Sequence, residues 1–557
     1  MRHAFVLPLR EKNRKQFGTS TLAVRSGLAL VLALGVAACS SNNSGSAAGS
    51  ATGAATPRPG GTLTVDIASK PLCLDPQNNN SNGNTAISRQ LVDSLTDQDP
   101  ATGEPRPWLA TSFQSDATAT SFTFKLRAGA TFSDGAAVDA AAVKANFDTI
   151  VKLGAVDAVG SSYLTGYQDT KIIDSLTATV TFTQPNAQFL QATSTAALGL
   201  LSPASLATSP QDRCQGRGLA GSGPFVLKDA GQGQQIKLTG RQGYSWGSSL
   251  WKHQGAAFLS EIDYNVVPES AVRAGSLASG QVTGVIGVDP QDERTLANAG
   301  AVELTRSVPG IVYNLTANTT HPILADDVVR KAITKGIDRA QIASTLLSPH
   351  YKPATSILSS STPDYTNLSS DLAYDPAGAE ALLDADGWKP GADGVRAKGG
   401  TRLTVQLVYP GVDTTSRNVL QLVQQQLTKV GIDAQLQGLA LNQLAPAQNA
   451  GQYDLLWFGL TRADPDILRT AFAVSAKNRA RLPAGNPLET ALGDQAATLD
   501  AGKRKALAAT AQQLIVRDAY AIPVYEQIQF DAFAPSVHGA ALDASAQPEL
   551  FDTWLAR

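Results

Sequence analysis

Cysteine, methionine and histidine are scarce, at three, one and five in a chain of 557 residues. The single methionine is Met1. His3, His253, His321, His350 and His538 show no HExxH or other helix-borne pairing, so the usual zinc-holding spacing is missing. No CxxC pair, no GxSxG nucleophile elbow and no Walker A loop occurs. One formal GxGxxG stands at Gly216–Gly221, but it precedes a strand. A dinucleotide fingerprint lies between a strand and a helix, so this run reads as a flexible crossover. No motif asks for a catalytic reading, and none calls for a cofactor. A basic excess is also lacking: 45 Lys and Arg face 47 Asp and Glu. Residues 1–38 hold six of the basic residues and one of the acidic ones; without them the balance is 39 to 46, a net of −7. A mildly acidic body does not suit a phosphate backbone, which argues against nucleic acid as partner.

Long apolar runs are missing too. The uncharged apolar run Gly27–Ala38 is about a dozen residues, short of a bilayer span. A basic segment precedes it, and Val36-Ala37-Ala38-Cys39 follows like a bacterial lipobox. Residues 1–38 are therefore expected to be a signal peptide and Cys39 the lipidated N-terminus. Residues 39–59, rich in Ser, Gly and Ala, read as a tether unable to bury enough apolar surface to fold. The expected location is the outer face of the cell membrane, held by lipid. Export implies an oxidising compartment, where the remaining cysteines, Cys73 and Cys214, are a candidate disulfide. Two separate buried thiols are the competing reading.

Periodicity organises the rest. Alternation marks strands at 62–67, 121–127, 176–182, 261–267 and 285–288, and a hairpin at 225–239. Helical spacing marks 85–95, 138–151, 270–279, 327–347, 375–386, 414–430 and about 497–517. Asp375, Pro376 and Gly387 punctuate one of these as N-cap, first turn and C-terminal stop. Strands and helices alternate from about 400 to 460, the pattern of an α/β domain, whereas 96–219 reads as a small α+β unit.

The segment SFTFKLRAGATFSDG at 121–135 resembles the signature of the bacterial family 5 extracellular solute-binding proteins, which serve ABC importers of dipeptides, oligopeptides and nickel. Its matching residues are Phe124, Leu126, Arg127, Gly129, Phe132, Asp134 and Gly135. Further stretches match in order: 60–76, Pro107–Ala110, 221–229, Asp327–Asp338, Tyr374–Trp388, Gly451–Asp454 and Ile522–Tyr525. The resemblance covers about residues 60–557. It implies a two-lobed, periplasmic-binding-protein-like (type II) α/β clamshell with an extra small α+β domain. By the family's layout the first lobe combines 60–95, 220–306 and 522–557, the small domain is 96–219, and the second lobe is 307–521. The two cysteines would then lie near one junction, which makes a bridge credible.

The resemblance implies capture of a peptide or other small solute between the lobes and delivery to an ABC permease driven by a separate ATPase, by a protein acting as a monomer. In the family the cleft wall follows the Tyr-Asp pair, here Leu455–Asp466. Peptide binders carry an Asp there that pairs with the peptide amine. This chain has Ala463 in that place, Asp464 one residue on and Arg462 beside it. Arg462 and Asp464 are candidate ligand contacts, with pairing to other protein groups as the alternative; Trp457 is a third candidate that reads more readily as core, and Asn79 and Asn80 are a candidate rim or a solvated turn. The departure puts recognition of a free amine in doubt. A nickel chelate, an oligosaccharide or another small solute is the alternative cargo; a sensory lipoprotein or a hydrolase is the more distant rival.

Overall fold

The computed structural model describes residues 56–78, 82–231 and 234–556. Cys39, the expected signal and residues 39–55 of the expected tether lie outside the described residues. Two large sheets dominate. The first has seven strands in the order Val302–Ser307, Ile528–Phe533, Gly284–Ile286, Thr62–Ile67, Glu261–Val266, Gln235–Gly240 and Phe225–Asp229. Thr62–Ile67 lies parallel to both of its neighbours. The second has five strands: Asp433–Leu439, Thr404–Pro410, Leu455–Thr461, Gly310–Ala317 and Ala521–Tyr525. We take each large sheet as the centre of one lobe. The strand Ala521–Tyr525, which the family layout puts partly in the first lobe, is hydrogen-bonded to Gly310–Ala317 in the second sheet. The chain crosses between the sheets at 307–310 and 525–528, where Val308 N–H donates to the Gln527 carbonyl at 2.8 Å. Gly310 sits there at φ +115°, and a Cβ would stand 2.1 Å from the Leu460 carbonyl oxygen, so only glycine fits.

A four-stranded antiparallel sheet, Ala110–Ser115, Ser121–Leu126, Thr177–Phe182 and Tyr167–Asp174, forms the small α+β unit. Phe122 and Phe124 alternate inward from the signature strand and meet Phe189 edge-on at 5.0 and 6.1 Å. Arg127 of the same signature donates to the Trp108 carbonyl at 3.1 Å. Gly135 takes φ +90° in the turn that follows. The signature is thus scaffold, as its strand-and-turn chemistry suggests. Gly216–Gly221 follows the short helix Pro210–Cys214 and leads toward the strand at Phe225. No strand feeds it, which removes the dinucleotide reading.

Helix starts follow the aspartates. Asp139, Asp338, Asp375, Asp413 and Asp500 each accept the backbone N–H three residues on. Asp338 breaks the single helix expected over 327–347 into Asp327–Gly336 and Arg339–Leu346. Asp500 likewise starts the last helix at Ala501, separate from Pro487–Ala497. The helix expected at 85–95 is shifted to Asn82–Ser88, though Ile87, Leu91 and Leu95 are all buried.

Candidate functional site

A cavity of about 500 Å³ opens where the two lobes and the small unit meet. Asn82 and Thr85 line it from the helix Asn82–Ser88, Arg89 from the turn that follows, and Tyr163 and Thr195 from the small unit. Tyr313 and the strand end Gly459–Arg462 line it from the second sheet, and Asp543, Ser545 and Gln547 from the C-terminal segment. The wall mixes aromatic, amide and hydroxyl groups with three charges, in the size range of a small-molecule site.

Of the residues singled out by sequence, Arg462 reaches this cavity. It is only 4% exposed. Its Nη1 donates to Gln188 Oε1 and Thr470 Oγ1, both at 3.1 Å, and its Nη2 donates to Ser162 Oγ at 2.8 Å. The guanidinium lies 4.3 Å over the Tyr163 ring. It therefore ties the second sheet to the small unit across the cleft. Ala187 N–H to the Ala496 carbonyl, 2.8 Å, and Gln98 Nε2 to the Ala463 carbonyl, 2.9 Å, tie the same faces.

Asp464 is 4% exposed and spent on protein: Arg504 grips both carboxylate oxygens, at 2.7 and 2.9 Å. Its Oδ1 also accepts Asp466 N–H at 2.8 Å. Trp457 takes the core position rather than a place in the wall. It is 1% exposed, packs in the core of the second lobe and donates Nε1 to Ser416 Oγ at 2.7 Å. Its role is support: Tyr313, which does line the cleft, stacks on it with ring centroids 5.2 Å apart. Asn79 and Asn80 lie outside the described residues. Cys73 and Cys214 are disulfide-bonded. Beside them Arg213 Nε meets Asp75 Oδ2 at 2.6 Å, both side chains buried.

Two cleft residues escaped the sequence reading. Asp543 accepts Ser545 and Gln547 N–H through Oδ1, both at 2.8 Å, in a local turn. Its Oδ2 has no partner among the described residues. Burial pushes its carboxyl up, and Arg89 offsets part of that. Arg89 is 7% exposed, donates Nη1 to Ser94 Oγ at 2.8 Å and lies 4.3 Å over Trp108. No carboxylate comes within 4 Å of it among the described residues. Buried Asp97 and partly buried Glu549 stand nearby; desolvation, then repulsion from Asp97 and Asp543, raises Glu549 to about 8. A local Asp-x-Ser-x-Gln turn was the one visible hint of Asp543, and such turns are common on surfaces.

The family model for bacterial extracellular solute-binding proteins, family 5 Middle, matches residues 104–478. The glutathione-binding protein GsiB of Salmonella paratyphi A (strain ATCC 9150 / SARB42) is 26% identical over 389 residues, 69% of this chain and 70% of its own. GsiB of Escherichia coli (strain K12) is 27% identical over the same shares. Among solved structures, NikA from Brucella suis in complex with Fe(III)-EDTA is similar at a TM-score of 0.77 and 24% identity, covering 89% of this chain and 100% of NikA. The oligopeptide-binding protein AppA from Bacillus subtilis, in complex with a nonapeptide, is similar at 0.74 and 20%, covering 90% and 100%.

Proposed function

The chain belongs to the bacterial extracellular solute-binding proteins of family 5, and from that membership we propose that it is a lipid-anchored peptide-capturing component of an ABC importer. The family binds solutes, so the chain is a binding protein and not an enzyme; its role as the substrate-binding component of an importer follows. The finer reading, a peptide cargo, is carried by one observation. The cleft between the lobes presents both a carboxylate oxygen, Asp543 Oδ2, and a guanidinium, Arg89, that have hydrogen-bonding positions to spare among the described residues. Peptides, side-chain-linked ones included, offer both complementary charges together with amides, and Asn82, Thr195, Thr461, Gln527 and Gln547 supply polar partners along the same wall. Relatives named for glutathione binding, a modified tripeptide, support the size class. Closure over the solute would favour the closed state by the ligand's differential affinity.

Isothermal titration of the processed protein with glutathione and a set of di- to pentapeptides tests the cargo. Submillimolar binding of at least one peptide is expected; binding of nickel chelates or oligosaccharides alone would move the cargo to another class. The anchor rests on the Val36–Cys39 lipobox. Incorporation of an alkyne-labelled fatty acid in the wild type, and release of Cys39→Ala from the membrane fraction, is the expected result.

A further inference from the structure

We propose that Asp543 and Arg89 form a subsite for the head group of an α-amino acid, in which Asp543 Oδ2 takes the ligand ammonium and Arg89 the adjacent carboxylate. The proposal rests on the solute-binding reading above and adds the chemistry that the cleft selects.

Its basis is how the other buried charges are used. Asp464 is gripped bidentately by Arg504. Arg213 meets Asp75 and Arg396 meets Asp384 at 2.6 and 2.7 Å. Buried Arg339 and Arg330 lack a carboxylate within 4 Å among the described residues, but backbone carbonyls occupy them: Pro523, Thr334, Ile337 and Leu372 on Arg339, Leu324, Ala325 and Asp518 on Arg330. Arg89 has one hydroxyl, Ser94 Oγ, and an aromatic face. Nearly all of it is out of water, and a desolvated guanidinium with unused donors is costly unless something else fills them. Asp543 is the counterpart. Its Oδ1 is saturated by two backbone N–H groups, which fixes the direction of Oδ2, and Oδ2 has no partner among the described residues. Both side chains line one cavity, close enough to influence each other's charge and too far apart to pair. A gap of that kind between opposite charges fits a zwitterion, whose two charges satisfy both sides at once. A γ-linked glutamyl peptide, or any amino acid joined through its side chain, carries such a head; an ordinary peptide has its two charges at opposite ends.

The test compares glutathione, trialanine, the N-acetyl derivative of each, Nε-acyl-lysine and a neutral disaccharide by titration calorimetry. Asp543→Asn keeps an oxygen for the Ser545 and Gln547 N–H groups, so its unfolding midpoint should match the wild type. The expected result is that a head-bearing probe, glutathione or Nε-acyl-lysine, binds the wild type at least about tenfold more tightly than the corresponding N-acetyl form or than trialanine, and that Asp543→Asn removes the difference. Arg89→Lys should weaken the same probe while leaving trialanine unchanged. Equal binding of free and acetylated probes, survival of the preference in Asp543→Asn, or binding of the disaccharide alone overturns the subsite. Binding of Nε-acyl-lysine that depends on Asp543, with no peptide bound, would sink the peptide proposal and leave the subsite standing.

Discussion

Asp464 and Asp543 are both acidic residues in polar, turn-rich segments, and only their partners separate them. Asp464 balances the buried Arg504, so Asp464→Ala would strand a guanidinium away from water. A loss of about 3–5 kcal/mol in urea unfolding is expected, the usual result of breaking a buried pair from one side. Ligand selectivity should be unchanged; a shift in selectivity without loss of stability would return Asp464 to the ligand wall. Asp531 offers a second test at this scale. It is buried between Gly287 N–H and Gln529 Nε2, and burial pushes its carboxyl from 3.8 up to about 7. The folded protein therefore binds that proton more tightly than the unfolded chain. The contribution is fully present below the unfolded value and is lost as pH rises through about 7. Thermal unfolding from about pH 5 to about pH 8 should fall less steeply in Asp531→Asn than in the wild type. Parallel profiles would show that Asp531 does not carry the effect.

At the scale of elements, the short helix Pro210–Cys214 is pinned to the segment before Pro76 twice over, by the Cys73–Cys214 disulfide and by the Arg213–Asp75 pair. The covalent link closes a loop with a sequence separation of 141. Replacing both cysteines by serine should lower stability by about 2–5 kcal/mol, read by denaturant unfolding with and without reductant. The wild type should lose the same amount on reduction, and the double variant should not respond. The aspartate caps belong to this scale too. Asp338 and Asp500 end one helical pattern and begin another, and apolar spacing carries on across them, so the periodicity of 327–347 reads as one helix where the backbone makes two.

For the whole molecule, Arg462 joins the second lobe to Ser162 and Gln188 of the small unit across the cleft. Such a contact stabilises the closed arrangement whatever the ligand. Arg462→Ala should therefore weaken every bound ligand by a similar factor, about threefold to thirtyfold, because the competent state is less populated. X-ray scattering should show a larger radius of gyration at subsaturating ligand. A loss confined to one ligand class would make Arg462 a ligand contact instead. Uniform loss in Arg462→Ala and selective loss in Asp543→Asn would separate closure from recognition.

Much of this was readable from local pattern. Alternation located Thr62–Ile67, Ser121–Leu126 and Thr177–Phe182 within a residue or so, because a strand's face depends on neighbours two apart. Asp375, Pro376 and Gly387 marked their helix because caps act over three or four residues. The ordered motifs pointed to the family, and with it the clamshell. Tertiary structure decided the rest. It put Ala521–Tyr525 into the second sheet, since strand partnership is settled by hydrogen bonds to distant segments. It also decided which charges are free. The segment Arg462–Asp466 drew attention by its departure from the family pattern, yet Asp464 is taken by Arg504, while Asp543 and Arg89, from opposite ends of the chain, face one cavity. Residue type is written in the sequence; whether a charge still has an unused hydrogen-bonding position depends on what folding brings beside it.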